Sequence, residues 1–126
     1  MTNKELVIKF IETVFNNHDL SNVAEFMRED YIQHNPEFGN GREDFVKGFV
    51  HMFEIHPDFR QELRHVIAED DLVCVHAYAW GAAPGDVPVK VMDLYRIEDG
   101  KLAEHWDIVE HDVGSIVPAN GRDLFV

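Results

Sequence analysis

The stretch KVMDLYRIEDGKLAEHWDIVE, residues 90–110, decides the fold of this chain. Polar and apolar residues alternate on both sides of its central Asp-Gly pair, which predicts two antiparallel β-strands joined by a tight turn. Three of its polar residues, Asp93, His105 and Asp107, stand where a half-buried hairpin normally carries apolar side chains. The function therefore depends on which face of the hairpin they occupy and on whether they meet.

The length of the hairpin loop sets the register of the two strands. A two-residue loop puts Asp93 opposite Trp106 and mixes polar and apolar side chains on both faces. A three-residue loop that ends in Gly100 puts Asp93 opposite His105 and separates the side chains, so it is the predicted register. One face then carries Val91, Asp93, Tyr95, Ala103, His105, Asp107 and Val109, and the other carries Met92, Leu94, Trp106 and Ile108.

The first of these faces has the character of a ligand pocket. Asp93, His105 and Asp107 share it with the apolar Val91 and Tyr95, and a concave surface with a few converging polar groups is typical of a small-molecule site. A carboxylate in such a pocket can take a proton from carbon or give one to oxygen. The alternative is a solvated hairpin in which an Asp–His pair is only structural.

The chain before this hairpin changes from helical to strand patterns. A capping box from Thr2 to Glu5 starts an amphipathic helix, and a short second helix follows with Phe26 and Met27 on its inner face. A third helix begins in the EFGNGRED segment, and two pairs of strands come after it. This order predicts one α+β domain over residues 1–126, with helices packed on one face of a curved antiparallel sheet.

Two further groups of residues have both a functional and a structural interpretation. His34 and Asn35 precede Pro36, which disfavours helix, so they either reach into the pocket from the helical side or form an ordinary turn. His76 and Cys74 share one face of the preceding strand, and the pattern favours packed residues there over a catalytic pair.

The composition makes several classes of function unfavourable. A formal net charge of −13 repels nucleic acid and anionic membranes, and no segment is typical of a signal peptide or a membrane span. The single cysteine allows no internal disulfide, which favours a cytoplasmic protein. The histidine spacings match no metal motif, and no nucleotide-binding motif occurs, so neither a metal nor a cofactor is predicted.

Segments spread over nearly the whole chain resemble the SnoaL-like polyketide cyclase group of the nuclear transport factor 2-like superfamily. The segments that carry the resemblance are YIQHNP at 31–36, RHVIAEDDLVCVH at 64–76, VMDLYRIEDGKLAEHWDIVE at 91–110 and NGRDLF at 120–125. The resemblance implies a cone-shaped sheet wrapped around N-terminal helices, with a pocket at the open end of the cone. It also implies a homodimer that forms through the outer face of the sheet.

The resemblance assigns roles to individual residues as well. Asp107 matches the aspartate that acts as acid and base in the intramolecular aldol condensation of the cyclases. Asp93 stands where the cyclases often have histidine, which is a departure from their pattern. His34 and Asn35 occupy the region that holds polar pocket residues in the cyclases.

Two hypotheses follow from the sequence. In the first, the chain is a cofactor-free enzyme that acts on a hydrophobic carbonyl compound by general acid/base catalysis. Asp107 is then the base, with assistance from His105 and Asp93, and the ligand is contacted by His34, Asn35, Tyr95 and Val91. In the second, the chain is a non-catalytic ligand-binding or dimeric interaction domain with the same fold.

Overall fold

The computed structural model describes residues 1–125 as three helical regions and a curved five-stranded sheet. The helices are α1 (Asn3–Phe10), which continues as a π-helical segment (Ile11–Asn16), α2 (Val23–Phe26) and α3 (Gly41–Ile55). The strands are β1 (Met27–Gln33), β2 (Arg60–Glu69), β3 (Leu72–Trp80), β4 (Val89–Glu98) and β5 (Lys101–Glu110), followed by a short 3₁₀ turn (Val113–Ser115). The predicted run of four strands after the last helix is confirmed, but strand β1 lies before α3.

The sheet has the order β1-β5-β4-β3-β2, and β2 to β5 form an antiparallel meander. Strand β1 pairs with β5 in parallel, with Gln33 beside His105. The prediction of helix through Met27 and of a purely antiparallel sheet is therefore wrong at this edge. Charged residues separate the inward-facing Met27 and Tyr31, so this short edge strand has no clear alternation in its sequence.

The predicted capping box starts α1. Thr2 Oγ1 accepts a hydrogen bond from the Glu5 backbone N–H at 3.1 Å, and the Thr2 N–H donates to Glu5 Oε2 at 3.2 Å. These bonds satisfy two backbone donors that the first turn leaves free. They fix the start of the helix that places Phe10 in the core, where its side chain is fully buried.

The core lies between the helices and the concave face of the sheet. Phenylalanine rings from α1, the π-helical segment and α3 pack edge-on or tilted, with centroids 5.1 Å apart for Phe10 and Phe15 and 4.6 Å apart for Phe45 and Phe49. Strand β3 meets them with small side chains, including the fully buried Ala77. Burial of this apolar surface holds the helices on one face, as the sequence predicts.

The hairpin of β4 and β5 turns in two residues, not three. Glu98 faces Lys101, and both turn residues have positive φ, 52° at Asp99 and 73° at Gly100. Both values are typical of the type I′ turn, whose twist matches that of the flanking strands. The positive φ of Gly100 is confirmed, but the predicted loop length is wrong.

A bulge early in β5 then shifts the register by one residue. Ile97 faces Leu102, but the next residue back along β4 faces Glu104, so Ala103 is the extra residue of the bulge. As a result, Asp93 lies opposite Asp107, and the predicted pairing of Asp93 with His105 is wrong by two residues. Because side chains alternate with a period of two, this error leaves the residues beyond the bulge on their predicted faces.

The convex face of the sheet carries the second predicted set of side chains. Met92 is 44% exposed and Ile108 is 76% exposed on this face, with Leu94 and Trp106 half-buried beside them. The Tyr78 ring, further across the same face, is covered by Phe125 at 5.3 Å. Sequence patterns also suggested burial of the last three residues, of which Val126 lies outside the described residues. Within residues 1–125, no helix is long and apolar enough to cross a membrane.

Candidate active site

A cavity of about 570 Å³ opens between α3, the loop after β1 and the concave face of the sheet. Its apolar wall includes the rings of Phe15, Phe38, Phe45, Phe49 and Phe59. Its polar wall consists mainly of side chains from the sheet and the loop, which are Gln33, Asn35, Gln61, Asp93, His105 and Asp107. This volume is in the range of pockets that enclose small organic ligands.

His105 lies at the floor of the cavity with both ring nitrogens engaged. Nε2 is 2.8 Å from Asp93 Oδ1, and Nδ1 is 2.7 Å from Gln33 Oε1. Gln33 Oε1 also accepts the backbone N–H of Asn35 at 3.1 Å, which identifies this atom as the oxygen of the amide. The ring is therefore held between the Gln33 amide oxygen and the Asp93 carboxyl group. His105 and Asp93 form a close, buried polar pair at the floor of the cavity.

Gln61 holds the second oxygen of Asp93. Its Nε2 donates to Asp93 Oδ2 at 3.3 Å. The Gln61 backbone is bound on both sides to the Asn16 amide of the π-helical segment, at 2.7 Å and 3.0 Å. Gln61 Oε1 is buried and has no hydrogen-bond partner in the described part of the chain. The helical layer thus fixes the position of the Asp93–His105 pair in the sheet through Gln61.

Asp107 differs from Asp93 in its surroundings. It is half-buried at the edge of the cavity, and its Oδ2 accepts a hydrogen bond from Asn35 Nδ2 at 2.7 Å. Asn35 is held in turn by the Glu37 backbone N–H, which donates to Asn35 Oδ1 at 2.8 Å. Among residues 1–125, Asp107 has no cationic partner within ion-pair distance. It is therefore a hydrogen-bond acceptor that a ligand in the cavity can reach.

Two tyrosines stand beside the charged groups. Burial raises the pKa of the Tyr95 hydroxyl well above its usual value, and the nearby Asp93 charge acts in the same direction. Burial and the same charge also raise the pKa of Tyr31 well above its usual value. Both hydroxyls therefore stay protonated and can serve as hydrogen-bond donors. The Tyr95 ring also stacks on His105, with 4.8 Å between centroids.

The structure brings together most of the residues that the sequence singled out. Asp93, His105 and Asp107 lie around one end of the cavity, and Val91, Tyr95 and Asn35 also line it. His34 does not reach it. Its Nε2 lies 2.7 Å from Glu104 Oε2, and its ring stacks on Trp106 on the convex side. Because successive residues of an extended segment point in opposite directions, only one residue of the His34–Asn35 pair can enter the pocket.

Three polar residues of the site were absent from the sequence prediction: Gln33, Gln61 and Tyr31. Strand alternation places Tyr31 and Gln33 on one side of β1, so recognition of YIQ as a strand would have found both. Gln61 lies at the start of β2, and its contact with Asp93 crosses β3. Strand alternation alone gives no sign of that contact.

The carboxylates and the histidine are close enough together to hold a cation. One ligand atom from each of Asp93, His105 and Asp107 lies within 4.8 Å of the other two. Both nitrogens of His105 are already hydrogen-bonded, however, so a metal would have to displace either Asp93 or Gln33 from the ring.

Residues 7–105 match a family model described as the SnoaL-like domain. Among solved structures, a SnoaL-like polyketide cyclase from Agrobacterium tumefaciens is 13% identical over 88% of this chain and 93% of its own, with a TM-score of 0.75. Bal32a from a soil-derived mobile gene cassette is 21% identical over 89% and 91%, with a TM-score of 0.74. IdmH from Streptomyces antibioticus is 20% identical over 86% and 92%, with a TM-score of 0.71. These structures share the fold. No protein of curated function matches the chain significantly.

Proposed function

The chain belongs to the SnoaL-like domain family, and on that basis we propose that its cavity binds a hydrophobic carbonyl compound and catalyses a cofactor-free aldol-type cyclisation or isomerisation. The family match confirms the resemblance predicted from the sequence, and the fold is the predicted α+β cone. A structural relative that is itself a SnoaL-like polyketide cyclase supports a reaction of this kind.

The observation that carries the proposal is the contrast between the two carboxylates of the site. Asp93 is buried and paired with His105, whereas Asp107 faces the cavity and receives only the Asn35 amide. The Asp93 carboxyl group is thus held by the protein, and the Asp107 carboxyl group is accessible to a ligand. Such a separation of roles is typical of paired acid and base groups in enzymes.

The proposed reaction balances without an external reagent. Asp107 removes a proton from the carbon next to a carbonyl, and the enolate carbon then attacks a second carbonyl of the same molecule. The Asp107 carboxylic acid returns its proton to the new alkoxide, which restores the starting enzyme. The Tyr31 and Tyr95 hydroxyls are the donors available to the enolate oxygen. In an isomerisation the proton returns to a different carbon.

The size and lining of the cavity bear on the alternative of an interaction domain. A domain that only associates with other proteins is expected to have its interior filled by side chains. This chain instead has a cavity of about 570 Å³ with polar groups at its floor. A non-catalytic binding protein would have that space, so the presence of the cavity supports a ligand and leaves the chemical step to experiment.

Hydrogen–deuterium exchange next to a carbonyl tests the proposal without knowledge of the natural substrate. A small bicyclic ketone, 2-tetralone, is incubated with the protein in D₂O, and exchange at its α-carbons is followed by NMR. We expect the protein to accelerate exchange and Asp107→Asn to reduce the acceleration by about 10²–10⁴-fold, because the amide cannot accept the proton. Asp86→Asn, at an exposed loop position, is the matched control and should behave as the wild type.

The outcomes of this experiment separate the hypotheses. A thermal shift on addition of the ketone without any acceleration of exchange would favour the non-catalytic binding domain. Acceleration that survives Asp107→Asn would remove Asp107 from the role of base. Neither a shift nor exchange, with a panel of bicyclic ketones, would contradict a carbonyl ligand altogether.

We also propose a homodimer that forms through the convex face of the sheet. The exposed Met92 and Ile108, with Leu94 and Trp106 between them, form an apolar strip on β4 and β5. The helices already cover the opposite face of the sheet. Exposed apolar patches of this kind are typical of protein–protein contacts.

A further inference from the structure

We propose that the cavity also binds hydrophobic amines in their protonated form, with the ammonium group against Asp107 and close to Asp93. The two residues are cross-strand neighbours on β4 and β5. One carboxyl oxygen of each lies within 4.8 Å of the other, with His105 at the same distance or less. The inference concerns binding alone, so it does not depend on the reaction proposed above.

Acidic groups outnumber basic groups at this end of the cavity. Within residues 1–125, His105 is the one basic side chain in contact with the two carboxyl groups, and no lysine or arginine lines the cavity. The remaining basic side chains of the wall are His51, His56 and His111. A protonated His105 balances one carboxylate, and a neutral His105 balances neither. A bound cation therefore offsets unpaired negative charge in either state, which a neutral ligand leaves without a partner.

Two tyrosines of the cavity respond to this charge. Burial is the main reason why the pKa values of Tyr31 and Tyr95 lie well above their usual value, and the charges of Asp93 and Asp107 raise them further. A potential that opposes a phenolate favours an ammonium group in the same place. The formal charge of −13 on the chain attracts cations at longer range in the same way.

The shape of the site suits an amine that carries a compact apolar body. Asp107 is half-buried at the edge of the cavity, and within the described part of the chain only Asn35 Nδ2 donates to its side chain, at 2.7 Å. The rest of its carboxyl group can accept hydrogen bonds from a ligand ammonium, and such charge-assisted bonds are strong. The five phenylalanine rings of the apolar wall can hold the hydrocarbon body, and aromatic faces also attract cations.

Three ligands with one bicyclic skeleton separate the effect of charge from that of shape. At pH 8, 2-aminotetralin carries an ammonium group, 2-tetralol is its neutral analogue and tetralin-2-carboxylate is its anionic analogue. An ordinary imidazole is neutral at this pH, which keeps competing positive charge low. Isothermal calorimetry with the wild type should give an affinity at least about tenfold higher for the amine than for the alcohol, because charge-assisted hydrogen bonds are stronger than neutral ones. The carboxylate should bind more weakly than the alcohol.

Two variants show whether Asp107 is responsible. Asp107→Asn should lower the affinity for the amine by at least about tenfold and leave that for the alcohol unchanged, because the amide carries no charge. Asp86→Asn removes the same charge from an exposed loop position and should keep the wild-type preference. An unchanged affinity for the alcohol also shows that the cavity of Asp107→Asn is intact. Should that variant unfold, the ranking of the three ligands by the wild type still decides the question.

The outcomes distinguish this inference from the proposed reaction. Equal affinity of the wild type for the amine and the alcohol, a preference that survives Asp107→Asn, or no binding of any of the three ligands would overturn the inference. Binding of 2-tetralone with accelerated exchange but no preference for the amine would overturn the inference alone. A preference for the amine without accelerated exchange of the ketone would support the inference and contradict the reaction.

Discussion

Asp93 and His105 give a residue-level prediction about a buried pair that is an ion pair when the imidazole is protonated. Asp93→Asn would leave a protonated imidazole without its counter-ion, because Gln33 supplies only a neutral acceptor. Removal of one partner from a buried pair typically costs about 3–5 kcal/mol. Urea unfolding should therefore show a free energy of unfolding about 3 kcal/mol or more below the wild type, and Asp86→Asn should match the wild type. A loss below about 1 kcal/mol, the size of one neutral hydrogen bond, would contradict an ion pair at this position.

His76 gives the residue-level prediction for pH. Burial lowers its pKa from the usual 6.5, so between the two values the unfolded chain binds a proton that the folded chain does not. Stability is therefore unaffected by His76 above the unfolded pKa and decreases as the pH falls below it. The melting temperature of the wild type should fall more than that of His76→Gln between about pH 7.5 and about pH 5.5. Parallel curves for the two proteins would contradict the lowered pKa.

The charged residues of the site were predictable from the sequence because strand alternation is insensitive to the details of the turn. Asp93, His105 and Asp107 stay on one face under any register error of an even number of residues, and the actual error was two. The amide and tyrosine partners were not predictable in the same way. Gln33 contacts His105 only because β1 runs parallel to β5, and parallel pairing of distant segments leaves no local pattern.

At the scale of elements, the turn between β4 and β5 differs from the one predicted from the sequence. The Asp-Gly pair is the usual signal for a two-residue turn, and the structure has that turn. A three-residue loop was predicted because it separates polar from apolar side chains when the two strands pair regularly from the turn onwards. The bulge at Ala103 produces the same separation of the two faces after a two-residue turn. Leu102 and Ala103 are consecutive buried residues, and this break in alternation is the one local sign of the bulge.

Helix α3 and the loop that carries Asn35 meet at Gly48. A Cβ at this position would lie 2.5 Å from Cδ1 of Phe38, whose ring stacks on Phe49 at 4.8 Å. Glycine within a helix normally costs about 1 kcal/mol relative to alanine, so an unhindered Gly48→Ala would stabilise the protein. The contact with the ring opposes that gain, since Phe38 must move away and the loop moves with it.

We therefore expect Gly48→Ala to lower the melting temperature and to weaken ketone binding in the cavity. Val50→Ala is the matched control on the same helix, because Val50 is 46% exposed and its replacement gains only helix propensity. That control should raise the melting temperature slightly and leave binding unchanged. A Gly48→Ala protein that is more stable than the wild type and binds equally well would show that Phe38 adapts freely.

At the scale of the whole molecule, two opposing forces act on association of the convex faces. The apolar strip of Met92, Leu94, Trp106 and Ile108 favours a dimer, and a stable interface buries about 800 Å² on each partner. A formal charge of −13 on each chain opposes association. Salt screens the repulsion but leaves the apolar contact, so the dimer should be tighter in about 0.5 M than in about 0.05 M sodium chloride.

Sedimentation equilibrium measures both effects in one experiment. At micromolar concentration the wild type should have a mass near twice 14.6 kDa. Ile108→Glu places a charge in the strip at a side chain that is 76% exposed, so it should give a folded monomer. Val117→Glu introduces the same charge at an 89% exposed position beyond β5, outside the strip, and should remain a dimer. A wild-type monomer at both salt concentrations would refute the interface, and a dimer that persists in Ile108→Glu would place it on another face.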